Sequence, residues 1–564
     1  MKWKKHQPKC KTIEDVMEYN TGTSIDELLN PKEYPYLEGL KRCVDITKKC
    51  IAAKMPVTVV GDYDCDGDTA TAILKLGLEE YSGKLVNIRL PRRFSEGYGL
   101  STKIIDEIDS GLVITVDNGI AAVEAVKKAK DKGLTVIIID HHMIRDDGLI
   151  PEADAIVDPY AIPGSEYDGY CGAGLAYRFV LELNPDTRLK SKLVALAGIG
   201  TVADVMPLIG DNRRIVKNSL ESVSSGNITA SLGSLLRAIG LSDHPTEDNY
   251  GYKVGPCFNA AGRLDDRGAE KVVNFISYDH EEYEAFLYQN DIDMEAMELV
   301  EFNKKRQILV QNAMSDIRNN LNSMSQIKKP IVYVDTSLHE GLVGIFAGKI
   351  AEEYHCPALV FTESSKKGIL KGSGRSYGGI NLKEELDRCS DLFEGYGGHA
   401  GAAGMSIKKG NVKKLEKRLY DNLSGTYMSK PNDLYYDLEC DVNDIPEICE
   451  KIRQYAPFGE GCPKVRYLIH DFCAVPKGSS YYEVMGQFHN HVKLYGKNFN
   501  VMGFEMADRF KDDGKPRKMD IIGTLNTEWF NGEKVYTVEI IDYQKQETKK
   551  TAAFNALQNA CMFL

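Results

Sequence analysis

The chain has 564 residues, enough for three or four domains of ordinary size. With 43% hydrophobic and 27% charged residues it reads as a globular protein; it lacks an apolar run able to span a membrane or the apolar core of a secretion signal, so a cytoplasmic location without membrane contact is expected. Its 13 scattered Cys, with no C-x-x-C pair, speak against a disulfide framework or zinc finger, and a net charge of −12 disfavours wholesale coating of nucleic acid without excluding a nuclease that gathers carboxylates at its centre.

Residues 1–45 are polar and mixed and predict a peripheral helical extension. From 46 to 215 strand and helix signals alternate. The strands are VTVV (57–60), LVNIRLP (85–91), LVITVD (112–117), TVIIID (135–140) and AIVD (155–158), and AAVEAVKKAKDKG is a helix capped by Gly133. This alternation predicts a mostly parallel sheet with helices on its faces. Residues 216–329 read as a helical connector, with one long helix over 295–317. PIVYVD (330–335) opens a second strand–helix unit that runs to 428 and ends in the glycine-rich KGSGRSYGG (371–379) and GYGGHAGAAG (395–404). From 429 to 545 the pattern turns to hairpins. In GTLNTEWFNGEKVYTVEIIDY, Asn531-Gly532 sits between two alternating runs and predicts a type I′ turn. A tail, 546–564, follows. The expected fold class is therefore α/β: two parallel-sheet units joined by a long helix, plus a C-terminal β-rich part, a small β-barrel or sandwich.

The segment VVGDYDCDGDTATAIL (59–74) sets Asp62, Asp64 and Asp66 ahead of Gly67. The letters D-Y-D-C-D-G fit the start of a calcium loop, but its twelfth position, a bidentate Glu in such loops, is Ile73. A strand rather than a helix precedes it, so the acids belong to a strand-to-helix turn. Two further strands end in acid, at Asp117 and at Asp140-His141-His142. C-terminal strand ends share one edge of a parallel sheet, where ligands bind, so these side chains are expected to converge. Carboxylates with one or two imidazoles suit Mn²⁺ or Mg²⁺, and two such ions sharing carboxylates hydrolyse phosphoesters. Asp204, inside the apolar LVALAGIGTVADVMPL, needs a partner and is a further candidate ligand.

DYDCDGDTA, VDNG, DHH and VADVMPL, in this order, resemble the motifs of the DHH phosphoesterases. FNAAGRLDD (258–266), LHEGLVGIFAGKI (338–350), KGSGRS (371–376) and GGHAGAAG (397–404) resemble the RecJ branch, with its DHHA1 and OB-like domains. The resemblance covers roughly 50–545 and implies a DHH catalytic domain (46–215), a DHHA1 domain (330–428) and an OB-like domain (429–545). It implies a metal-dependent 5′→3′ exonuclease on single-stranded DNA, acting in repair and recombination. A DHH-type oligoribonuclease or nucleotide phosphatase and a non-cleaving scaffold on the same fold are the alternatives.

By resemblance, Asp64, Asp66, Asp117, His141 and Asp204 are metal ligands, and Asp62, Asp140, His142 and His399 serve catalysis. Arg93, Asn259, Arg263, Ser373 and Arg375 contact the substrate. A single-strand-binding protein and a helicase are implied partners of a monomer. The resemblance departs at PCFN, where Cys257 stands in place of the family's Arg, and at Leu338, often Trp in the family. Tyr481, Tyr482, Phe488, Trp529 and Phe530 are candidates for stacking on bases.

Overall fold

The structure is a computed structural model. It describes residues 3–241, 244–278, 288–324, 326–364, 366–424, 433–486, 489–530 and 533–546. The strands, in chain order, begin with β1 (Trp3–Lys5), β2 (Val57–Val60), β3 (Asn87–Arg89), β4 (Leu112–Val116), β5 (Thr135–Ile139) and β6 (Ala155–Val157). The last five form one sheet in the order β3-β2-β4-β5-β6, every pair parallel. All of β2 and β4 and nearly all of β5 are buried, as their unbroken β-branched runs require when both faces are covered. One face packs the larger core with Val59, Ile114 and Ile137; the other packs Val60, Val113 and Val136 against helices Thr102–Asp106 and Val123–Asp131. Gly133, at φ +79°, turns the chain out of the second of these helices.

Helix Gln289–Asn322 is longer at both ends than its sequence pattern predicts. Ile292, Ala296 and Leu299 belong to the first core, while Val310, Met314, Ile317 and Leu321 belong to that of the second unit. One amphipathic rod thus joins two cores. The second sheet contains β7 (Ile331–Val334), β8 (Ala358–Glu363), β9 (Ile369–Arg375), β10 (Phe393–Gly398) and β11 (Ala402–Lys408), in the order β10-β11-β9-β8-β7. The expected parallel pairing holds for β7 and β8, which a helix, Val343–Tyr354, connects. The other pairs run antiparallel. The few residues between β8 and β9, or between β10 and β11, are too short for a crossover and allow only hairpins.

The third sheet comprises β13 (Leu438–Cys440), β14 (Arg466–Cys473), β15 (Tyr482–Met485), β16 (His491–Tyr495), β17 (Asn500–Gly503), β18 (Lys518–Phe530) and β19 (Glu533–Lys545), in the order β13-β14-β18-β19-β17-β16-β15, and β12 (Leu434–Tyr436) pairs with β1. These seven strands form the expected C-terminal OB-like unit, and among the described residues no pair joins β13 to β15. Strand β18 (Lys518–Phe530) pairs antiparallel with β19, from Met519 to Phe530. The expected turn at Asn531-Gly532 and the tail from 547 lie outside the described residues. No helix among the described residues is long and apolar enough to cross a membrane.

The N-terminal segment differs from the peripheral extension that its polarity suggests. Its helices Ile13–Thr21 and Ile25–Leu29 put Ile13, Val16, Met17 and Leu28 into the core of the third sheet. Trp3 Nε1 donates to Asp542 Oδ2 at 2.8 Å, and β1 runs parallel to β12. Arg213, fully buried, closes the junction. Its Nε donates to Leu28 O at 2.7 Å, Nη1 to Pro457 O at 2.8 Å, and Nη2 to the carbonyls of Tyr455 and Ala456. Three stretches far apart in sequence meet on one guanidinium.

Arg213→Met should cost about 3 kcal/mol or more, because several buried carbonyls lose their donors together. Urea unfolding checks this, and a loss below about 1 kcal/mol would show that the junction does not depend on Arg213.

Candidate active site

Backbone N–H groups hold three of the acidic side chains at this sheet edge, those of Asp64, Asp66 and Asp140. Past β2, Asp64 caps helix Cys65–Ser82, its Oδ1 accepting from Asp66 N at 3.1 Å and Gly67 N at 3.2 Å. Gly67 is needed for close approach: a Cβ there would lie 2.7 Å from the Asp62 carbonyl. Asp66 Oδ2 and Oδ1 accept from Gly172 N at 2.7 Å and Ala173 N at 2.9 Å, at the start of helix Gly172–Leu183, where the dipole favours an anion. Past β4 the chain turns sharply, with Asp117 at φ +59°. Past β5, Asp140 takes Ile120 N on Oδ2, and His141 N (2.8 Å) and His142 Nδ1 (2.7 Å) on Oδ1. Asp204 ends helix Lys190–Ala203.

His141 Nε2 lies 3.0 Å from Asp117 Oδ1, 3.7 Å from Asp66 Oδ2 and 3.8 Å from Asp204 Oδ2. Three overlapping sets result: Asp117, His141 and His142; Asp66, His141 and Asp204; and Asp62, Asp64 and Asp117. Within each, one ligand atom per residue lies within 4.8 Å of the others. Burial, then the charge of Asp64, holds Asp62 well above the usual carboxylate range; burial, then Asp66, does the same to Asp117 and lifts Asp204 to about 8. Burial also depresses His141, leaving the neutral imidazole that a cation binds. For His142 burial works downward but is outweighed by the hydrogen bond and charge of Asp140, which raise it to about 9. Asp62 Oδ1 is buried without a hydrogen-bond partner. Oxygen and imidazole donors, an orphaned carboxylate oxygen and acids forced toward the neutral form all fit a divalent cation.

Family models match in three places: the DHH family N-terminal domain over 56–201, the DHHA1 domain over 328–425 and the RecJ OB domain over 436–542. The chain is 31% identical to the single-stranded-DNA-specific exonuclease RecJ of Salmonella typhimurium over 409 residues, 68% of each protein. The chain belongs to the RecJ family. It is also 31% identical over 539 residues to RecJ of Bacillus subtilis, covering 92% of this chain but only 65% of that relative. The crystal structure of RecJ from Thermus thermophilus in complex with Mn²⁺ superposes with a TM-score of 0.75 at 26% identity, covering 95% of this chain and 76% of that one.

Beside the acids, this RecJ-family chain sets guanidinium groups with no carboxylate partner among the described residues. Arg93 lies 4.4 Å from the centre of the Tyr63 ring. Arg263 Nη1 donates to Gly341 O at 3.3 Å, and Arg375 Nη1 to Ser373 Oγ at 3.1 Å and Gly374 O at 3.0 Å. Arg306, on the long helix, is held by Asn303 Oδ1 (3.1 and 2.9 Å). Burial, then the charge of Arg93, lowers Arg263 to about 10, with Arg306 and Arg375 adding to the repulsion. Such a cluster calls for an anion. Sequence reading missed Arg306, whose only local signal is its place three residues after Asn303 on a helix. It also missed Tyr98, whose hydroxyl donates to Asp117 O at 3.1 Å beside His142.

Several expected contacts take another form. Asn259 Oδ1 accepts from Cys65 N at 3.1 Å, steadying the acidic turn. His399 is exposed between β10 and β11, accepts from Gly401 N at 3.2 Å, and makes no contact with the acids among the described residues. Cys257 Sγ, where the family has Arg, accepts from Asn303 Nδ2 at 3.6 Å. Trp529 packs against the His244 ring at 4.5 Å, with Lys534 Nζ 5.7 Å from its ring centre. Tyr481 and Tyr482 pack on the third core, and Tyr481 donates to Lys515 O. Phe488 and the Phe530 side chain lie outside the described residues.

The structure adds one acid that motif reading passes over. Asp68 is fully buried and neither carboxyl oxygen has a hydrogen-bond partner. Asp68→Ala should therefore stabilise the fold by about 1 kcal/mol and leave Mn²⁺ affinity within about twofold; thermal melting and calorimetric titration check the two halves. A pH dependence follows from the raised acids. An acid raised in the folded state stabilises the fold below its unfolded value, ~3.9 for Asp, and loses that contribution as pH rises through its folded value, about 8 for Asp204. The melting temperature with Mn²⁺ minus that with EDTA should accordingly widen as the pH rises from about 4 to about 8. A difference constant across that range would contradict this.

Proposed function

We propose that the chain is a divalent-metal-dependent exonuclease that hydrolyses the phosphodiester bonds of single-stranded DNA from the 5′ end. The observation that carries the reading is the adjoining of two opposite clusters. Arg93 acts on the charge of Asp62, and Asp64 on that of Arg263, so carboxylate-free guanidinium groups border the acidic centre. Acids to hold cations beside bases to hold phosphate is what cleavage of a terminal phosphodiester needs. Curated relatives named single-stranded-DNA-specific exonuclease RecJ, and solved RecJ structures with Mn²⁺ and with Mg²⁺, support the substrate class and the use of a divalent ion.

Asp64, Asp66, Asp117, His141 and Asp204 would hold the metal, and the three overlapping sets support two ions, with Asp62 serving the second. A bound Mn²⁺ or Mg²⁺ supplies an activated water and screens the phosphate charge. Asp140, its oxygens engaged by backbone N–H groups and by His142, positions that imidazolium rather than binding metal. His142 then carries a proton for an oxygen of the scissile phosphate. Arg93, Arg263, Arg306, Ser373 and Arg375 would receive the 5′-terminal phosphate, and with it set the direction of travel. Work in DNA repair and recombination, delivery of the strand by a single-strand-binding protein or helicase, action as a monomer in the cytoplasm and a phosphate contact from His399 rest on the family resemblance.

The test is digestion of a 3′-labelled single strand bearing a 5′-phosphate or a 5′-hydroxyl, with Mn²⁺ or with EDTA. Labelled products should shorten only with metal, Asp117→Ala should lower the rate by about a thousandfold, and Arg375→Ala should reduce the preference for 5′-phosphate about tenfold. A folded protein that leaves every strand intact in Mn²⁺ would refute the reading.

A further inference from the structure

Asp204 is followed by a residue whose backbone opposes its side chain. Val205 has φ +56°. Nine non-glycine residues among those described have positive φ, and Val205 is the β-branched one among them. A left-handed conformation is least tolerable for such a residue. The turn itself is an ordinary helix ending: Val205 N donates to Val202 O and Met206 N to Thr201 O, both at 3.1 Å. Other helices of this chain end with glycine at this place and with the same pair of hydrogen bonds, at Gly133 (φ +79°), Gly226 (φ +73°) and Gly240 (φ +67°). Glycine would form the turn after Asp204 with less strain. The isopropyl group, not the turn, therefore needs a reason.

Packing within the chain does not provide one, because Val205 is 66% exposed. Strain of this kind persists where function uses it. The position sits beside a carboxylate whose Oδ2 is 3.8 Å from His141 Nε2. Two more exposed apolar side chains flank the same groups. Met143, 63% exposed, follows His142, and Tyr98, 50% exposed, has its ring 5.9 Å from that of His142. An acidic centre with charge for a phosphate thus has an apolar margin, and a nucleotide presents this pairing of surfaces, with a flat apolar base attached to its phosphate. We propose that Val205 is a substrate-binding residue, its exposed side chain packing against the nucleobase of the 5′-terminal nucleotide, whose 3′ phosphodiester lies at the acidic centre. The inference rests on the nuclease reading above and extends it to a residue that contacts the base rather than the phosphate.

The test compares the unaltered chain with Val205→Gly and Val205→Ala in Mn²⁺. Each digests 3′-labelled strands whose 5′-terminal nucleotide is either normal or a tetrahydrofuran abasic residue. Val205→Gly should raise KM for the normal strand about fivefold to tenfold with kcat little changed, with Val205→Ala intermediate. All three proteins should cleave the abasic strand alike. The melting temperature of Val205→Gly should equal or exceed that of the unaltered chain, since the strain is released. Equal KM values on the normal strand would overturn the proposal. So would equal losses on both strands with weaker Mn²⁺ binding, which would make Val205 a support for Asp204, or a lower melting temperature for the glycine variant. An unaltered chain that cuts neither strand would remove the nuclease reading itself, and this proposal with it.

Discussion

Carboxylates that meet out of contact with water repel one another, and much of this fold serves to hold them together. Acids from three strand ends and one helix end come within a few ångströms, most of them buried. Backbone does the holding. A parallel sheet brings β2, β4 and β5 to one edge, two helix N-termini bind Asp64 and Asp66, and a left-handed Asp117 swings back over the sheet. Each device is local, short and rigid. Together they produce a site whose resting charge is wrong for a protein interior and right for a cation.

The opposite charge comes from both units: Arg93 follows β3 and Arg263 lies on a helix packed into the first core, while Arg375 ends β9 of the second. The long helix makes its geometry possible, since its two ends are anchored in two different cores and its middle carries Arg306 toward Arg263. Acidic and basic groups therefore lie side by side in the first unit, with Arg306 and Arg375 brought in by the rod and the second unit. These guanidinium groups form no ion pair with the acids among the described residues.

Much of the first sheet was legible in the sequence because its signals are local. A run such as VTVV or LVITV is apolar on both faces, and an acid directly after it has one place to go. The structure accordingly brings Asp62, Asp64, Asp66, Asp117, Asp140, His141, His142 and Asp204 together. What escaped the sequence is what depends on distant partners. WKK becomes a strand only because residues 434–436 are beside it, and the N-terminal helices look surface-bound until the third core claims their apolar face. Arg306 is one more cation on a charged helix until Arg263 is seen nearby. Asp68 looks like part of an acidic motif, yet the inward face of its helix deprives it of any partner. The mixed pairing of the second sheet follows from loop lengths that the glycine-rich signal obscures, and the ring that Trp529 packs against, His244, is far away in the chain.

The donors of Arg213 are satisfied by Leu28 from the beginning of the chain and by residues 455–457 from near the end. Without the third sheet in place, this buried cation keeps Leu28 O but lacks its carbonyl partners at residues 455–457. The helix that bears it, Gly210–Ser224, follows directly on the segment carrying Asp204. Docking of the third sheet therefore bears on how firmly the segment carrying Asp204 is held.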